Sequence, residues 1–122
     1  MERIQSHRDL VVWQKAMDLV ELVYRLSGRF PASESYRLTA QLTRAVASIP
    51  ANIAEGHART TKEYAWYIGV AKGSLMEVET FLMIAVRLGY LREGDAAPAF
   101  DLITEMSKML TAVRSKLTVP RS

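Results

Sequence analysis

Cysteine is absent from this chain of 122 residues. Its absence excludes disulfides, thiolate catalysis and cysteine–metal sites, and it fits a reducing compartment. No stretch approaches the roughly 20 continuous apolar residues of a membrane span. The opening Met1-Glu2-Arg3-Ile4-Gln5-Ser6-His7-Arg8 lacks the apolar run of a secretory signal. A cytoplasmic protein with no membrane partner is therefore expected. Strand signals are missing too: there is no sustained alternation and no Asn-Gly or Asp-Gly hairpin turn. Histidine is scarce, with only His7 and His57. No Glu-x-x-His motif exists to build the di-metal site that some four-helix bundles carry. Glycine-rich phosphate loops are absent, and no local pattern supports a Ser-His-Asp arrangement. These absences lead to the expectation of a protein that is not an enzyme. No catalytic residue, no metal, no cofactor and no small-molecule substrate is foreseen.

What is present is enough apolar material for one core. Residues of hydrophobic type make up 49% of the sequence, and a chain of this length removes on the order of 65% of its unfolded surface from water. Four helical segments can be read, at roughly residues 8–27, 34–58, 61–88 and 96–117. The first ends near Gly28 and Pro31, as stop signals of this kind suggest. The second carries Leu38, Leu42, Ala45, Ile49 and Ile53 at helical spacing, with Ala40, Ala47, Ala51 and Ala54 opposite, and Gly56 at its expected end. Thr60 and Glu63 fit a capping box at the start of the third, and Gly89 stands where a left-handed C-cap is expected. The fourth begins near Asp95 to Pro98, proline being tolerated in a first turn. Helices of similar length with short links favour an all-α, antiparallel up-down-up-down four-helix bundle forming a single domain over residues 1–122.

The third segment is apolar on two sides. Tyr64, Ile68, Ala71, Leu75, Val78, Leu82 and Ala85 share one face, sufficient for an intramolecular core. Trp66, Val70, Gly73, Glu77, Phe81 and Ile84 occupy the other. The fourth segment is one-faced by comparison, with Leu102, Ile103, Met106, Leu110, Val113 and Leu117 opposite Asp101, Glu105, Lys108 and Ala112. A contiguous apolar face of that size usually marks an interaction surface, and Gly73 would let another backbone approach. Self-association through this face into a homo-oligomer is expected. The alternative is that another helix of the same chain folds over it. Glu77 within that face either pairs with Arg44, in the same or a neighbouring chain, or lies solvated at its rim.

Ser48-Ile49-Pro50-Ala51-Asn52 puts a proline inside a helix, at a cost of roughly 3 kcal/mol. Ser48 and Asn52 flank it at four-residue spacing, and their side chains can bond backbone groups that the proline frees. The net charge is +3. Arg37 and Arg44 lie one heptad apart, and Arg59 and Lys62 flank the turn between the second and third helices, close to Trp66. Cations beside an aromatic suit phosphate contact and base stacking, while Glu55 and Glu63 interrupt the cluster and a solvated surface explains it equally well. From Lys108 onward the chain carries Lys108, Arg114, Lys116 and Arg121 and no acid. That excess answers either to the helix dipole or to a binding role.

Several ordered blocks resemble one family. Asp9-Leu10-Val11-Val12-Trp13-Gln14-Lys15-Ala16 is similar to its opening helix. Gln41-Leu42-Thr43-Arg44-Ala45 leads into its Ser48-to-Gly56 proline block. Gly73-Ser74-Leu75-Met76-Glu77-Val78-Glu79-Thr80 and Leu88-Gly89-Tyr90-Leu91 resemble its third helix and exit. The family is that of the four-helix-bundle proteins encoded in intervening sequences of bacterial 23S rRNA genes. The chain is also similar to the accessory variability determinant proteins of diversity-generating retroelements. The resemblance implies a homopentamer of bundles that acts as a scaffold, with RNA or an RNA-bound protein as candidate partner. It carries no established catalytic residues.

Overall fold

The computed structural model describes residues 6–118. Among them the chain forms four α-helices and no strand: α1 (Val11–Ser27), α2 (Leu38–His57), α3 (Thr61–Arg87) and α4 (Glu93–Thr118). α1 packs against α2 and α4, and α3 against the same two helices from the other side. The core lies between all four, lined by Leu19, Leu42, Ile53, Ile68, Leu82 and Ile103, each with no exposed surface. Burying a side chain of this kind contributes about 1.5–3 kcal/mol.

α3 starts at Thr61 as expected; the other three helix starts differ from the expected ones by three or four residues, each for a local cause. A 3-10 turn at His7–Asp9 precedes α1. Ser6 and Asp9 form a full capping box there, the Asp9 carboxylate accepting the Ser6 N–H at 3.2 Å. Another 3-10 turn, Ala32–Glu34, follows Pro31. Arg37, at φ −116° and ψ −107°, breaks from helical geometry before α2 begins. α4 starts at Glu93, ahead of the expected Asp95. Asp95 reaches back to accept the Arg92 N–H at 3.4 Å, so Pro98 falls inside the helix and forfeits one backbone hydrogen bond.

Two of the glycines behave unlike each other. Gly89, at φ +79°, closes α3 in the left-handed conformation that glycine adopts without strain. Gly56, which local pattern places at the end of α2, is the penultimate residue of that helix and is buried there. A Cβ there would lie 2.7 Å from Tyr67 Cβ and 3.0 Å from Tyr64 Cδ1. Its missing side chain is what lets α3 approach α2 so closely. At the far end of the same pair, the Tyr90 hydroxyl beyond α3 donates to Glu34 before α2 at 2.7 Å. That bond holds the phenol above its ordinary pKa. Arg29 and Asp95 pair at 3.0 Å and Lys15 and Glu105 at 2.9 Å, tying α1 and the link after it to α4.

Candidate functional site

The outward side of α3 carries a row of apolar residues that the core does not absorb. Its crest carries Trp66 (62% exposed), Gly73 and Ile84 (38% exposed), and Leu88 lies just past its end at 55%. No other atom comes within 4 Å of where a Gly73 Cβ would stand. The shoulder facing α2 holds Val70, half-buried, Glu77, and Phe81, which packs on the core. Among the described residues no helix folds over the crest, so the six residues singled out by periodicity divide into an exposed ridge of Trp66, Gly73 and Ile84 and a shoulder on which Val70 and Phe81 are half-buried and Glu77 is exposed. Met76 and Met83, 41% and 50% exposed, extend the apolar surface toward α4. Their heptad spacing is the signal for them, and the two-faced wheel passes over it.

Between that shoulder and α2 runs a cleft of about 230 Å³ lined by Gln41, Arg44, Ser48, Ser74, Glu77 and Phe81. Arg44 and Glu77 share this cleft without forming an ion pair, and both are exposed. Of the alternatives for Glu77, the pair with Arg44 within one chain is not formed. Below them, Ser48 Oγ lies 2.7 Å from the Ala45 carbonyl and 2.7 Å from Ser74 Oγ. A hydroxyl has one proton. If Ser48 gives its own to the carbonyl, Ser74 donates to Ser48. Asn52 Nδ2 donates to the Ser48 carbonyl at 2.7 Å. Pro50, buried and with no N–H to give, leaves the Val46 carbonyl short of its usual donor. Contrary to expectation, Ser48 and Asn52 do not bond that carbonyl but those of Ala45 and Ser48 on either side of it. The hydroxyl pair also links the proline-bearing turn of α2 to α3.

The four cations proposed for nucleic acid do not form one patch. Arg59 is taken up inside the chain. Its Nε donates to Glu55 at 3.0 Å, its Nη2 bonds the same carboxylate, and its Nη1 reaches Glu63 at 3.4 Å. Its guanidinium carbon also sits 5.6 Å from the centre of the Tyr67 ring, and Tyr67 in turn stands edge-on to Trp66. The hydrogen bond to Glu55 heads the causes that raise its pKa further. Glu63 is held below the usual carboxylate range, chiefly by the Thr60 hydroxyl, which donates to it at 2.8 Å. This replaces half of the expected capping box: Glu63 N–H still donates to Thr60 Oγ1, but the carboxylate takes the hydroxyl instead of the Thr60 N–H. Arg37 lies beside Tyr90 and Glu34, and Lys62 lies at the opposite end of α3. α3 spans roughly 40 Å at 1.5 Å per residue. Arg37, Arg44 and Lys62 make no ion pair among the described residues.

The two histidines make aromatic contacts. His7 stacks edge-on with Trp13 and His57 with Tyr64, and burial pushes the Tyr64 phenol up. Among the described residues no three His, Asp or Glu side chains gather closely enough to hold a metal ion, and no helix is long and apolar enough to cross a membrane. Arg121 lies outside the described residues.

Fold and surface together define an all-α four-helix protein with a bare ridge along its third helix. The chain belongs to the 23S rRNA-intervening sequence protein family, whose model matches residues 8–112. Its fold is also that of a crystal structure at 1.70 Å from Bacteroides thetaiotaomicron VPI-5482, a protein of unknown function from the S23 ribosomal protein family. The two are 21% identical, with a TM-score of 0.78 over 85% of this chain and 98% of the other. No curated protein matches the chain.

Proposed function

We propose that this chain is a non-catalytic scaffold, an antiparallel up-down-up-down bundle that assembles through the crest of α3 into a cyclic homo-oligomer in the cytoplasm. The contacts of Gly56 with Tyr64 and Tyr67 at one end, and of Glu34 with Tyr90 at the other, favour the antiparallel course of α2 and α3. One observation carries the assembly: α3 leaves Trp66, Ile84 and an open Gly73 on one ridge that none of the described residues covers. A helix-interior glycine costs about 1 kcal/mol, and no close approach inside the chain uses Gly73. Five copies is the number the family resemblance suggests. Arg44 and Glu77, unpaired within the chain at the edge of that ridge, are then available to a neighbouring copy. The family's rRNA-gene setting favours RNA or an RNA-bound protein as partner.

Sedimentation velocity at micromolar concentration tests the assembly. The wild-type chain should run well above monomer, and Trp66→Glu with Ile84→Glu should return it to monomer with helicity intact. A wild-type monomer refutes the reading. A protein-interaction module with no nucleic-acid role is the second reading, favoured by the neutralisation of Arg59 by two carboxylates. Absence of RNA binding even at about 50 mM salt, where phosphate contacts are strong, would select it.

A further inference from the structure

The cations that periodicity passes over stand together on the other shoulder of α3. A cleft of about 380 Å³ between α3 and α4 is lined by Lys72, Thr111, Arg114, Ser115 and Thr118, with no carboxylate among them. Arg114 reaches it from α4 by lying across Gly69. Its guanidinium carbon and two terminal nitrogens are 3.2, 3.5 and 3.3 Å from where a Gly69 Cβ would be. Three nearly equal distances mean that the planar group lies face-on against the bare backbone of α3, so a bulky side chain at position 69 would push it outward. Lys72 follows Gly69 by three residues, one turn along the same helix.

Neither cation has an acidic partner among the described residues. The hydroxyls of Thr111 and Ser115 make no hydrogen bond there either, whereas Thr118 spends its own on the Arg114 carbonyl at 3.1 Å. Two like charges brought to one cleft repel. The helix dipole accounts for a cation in the last turn of α4, but its effect fades within that turn. It gives no reason for Lys72, near the middle of α3. An anion between the two cations relieves the repulsion, and the two uncommitted hydroxyls can donate to its oxygens.

We infer that the Lys72–Arg114 cleft, with Thr111 and Ser115, binds the phosphodiester backbone of RNA, and that Arg37, Arg44, Arg59 and Lys62 do not. This rests on the RNA-contact part of the function proposed above and moves that contact to the α3–α4 side. There it stands clear of the α2-facing shoulder that carries Glu77. Lys108 lines the next stretch of the same groove, where Glu79 ends the acid-free run. In a cyclic assembly the cleft would recur once per subunit, and a strand touching several copies gains from the repetition.

The test uses the full chain and a fluorescent single-stranded RNA of about 20 nucleotides, with affinity measured from about 50 to 200 mM salt. Lys72→Gln/Arg114→Gln should weaken binding at least tenfold at the low-salt end. It should also flatten the slope of log affinity against log salt by about 1.4 per subunit, at about 0.7 for each phosphate left without its cation. Arg37→Gln/Lys62→Gln removes the same net charge and should leave both nearly unchanged. Gly69→Leu keeps every charge but fills the seat of Arg114, and should flatten the slope by about half as much. Equal losses from both double variants, or a loss only from Arg37→Gln/Lys62→Gln, overturn the cleft while leaving RNA contact standing. A wild-type chain that does not bind at about 50 mM salt overturns both.

Discussion

Gly56 in α2 and Gly73 in α3 are the same residue, each within a helix, and they face opposite situations. Where Gly56 would carry a Cβ, Tyr67 already stands at 2.7 Å; where Gly73 would carry one, there is nothing within 4 Å. Both give up about 1 kcal/mol of helix propensity. For Gly56 the return is visible inside the monomer, as the close seam between α2 and α3. For Gly73 there is no return inside the monomer. The difference separates what folds the chain from what the folded chain is available to do: one side of α3 is fixed by packing, and the other is left bare.

The largest expected effect comes from closing the seam. Gly56→Ala should destabilise the chain by about 1–3 kcal/mol, because the added methyl meets the Cβ of Tyr67, an atom that cannot move without its backbone. Helix propensity alone predicts the opposite sign, a gain of about 0.5–1 kcal/mol. Denaturant unfolding therefore decides by sign. A stabilised Gly56→Ala variant would mean that α2 and α3 are not as close as their contacts require, and the contrast with Gly73 would collapse.

How much of this is legible in the sequence follows the range of the interactions. The helix faces are legible, because a 3.6-residue period records which side is buried: Ile68, Ala71, Leu75, Val78, Leu82 and Ala85 are all core. Gly89 is legible from its position after the last periodic residue. Gly56 reads as a terminator because its reason lies in Tyr64 and Tyr67 of another helix, and no local pattern encodes that. The cations mislead for the same reason. Arg59 and Lys62 are near neighbours in sequence, yet Arg59 is consumed by Glu55 and Glu63, and Arg37 sits at the other end of the helix pair. Lys72 and Arg114 are remote in sequence and line one cleft between two helices. The helix starts shift because side-chain contacts at single residues, such as Asp95 with Arg92 and Asp9 with Ser6, set them.

A smaller effect sharpens the comparison from the open side. Gly73→Ala should raise the stability of the isolated chain by about 0.5–1 kcal/mol, since the methyl meets no atom and the helix gains propensity. The same change should weaken self-association if another copy packs on the crest, and Gly73→Leu should weaken it further. Unfolding curves and sedimentation then move in opposite directions for one substitution. If Gly73→Leu leaves the sedimentation coefficient unaltered, nothing packs closely at that position and the assembly must use another surface.

The smallest effect belongs to the exposed corner where α3 begins. Glu63 titrates below the ordinary carboxylate range, first because the Thr60 hydroxyl donates to it and then because Arg59 is near. A carboxylate with a lowered folded-state pKa contributes stability that is present above its unfolded value, about 4.3. That contribution is lost as the pH falls through the folded value. Wild type and Glu63→Gln should therefore differ slightly in thermal midpoint near neutral pH and converge in acid, once the wild-type carboxylate is protonated. The difference should stay well below that caused by Gly56→Ala, because the corner is exposed and the seam is not. A difference that widens on acidification would reverse the sign required by the Thr60 hydrogen bond. One as large as the Gly56→Ala effect would mean that hydrogen bonds at the corner, and not the packing of Gly56 against Tyr67, hold α3 to α2.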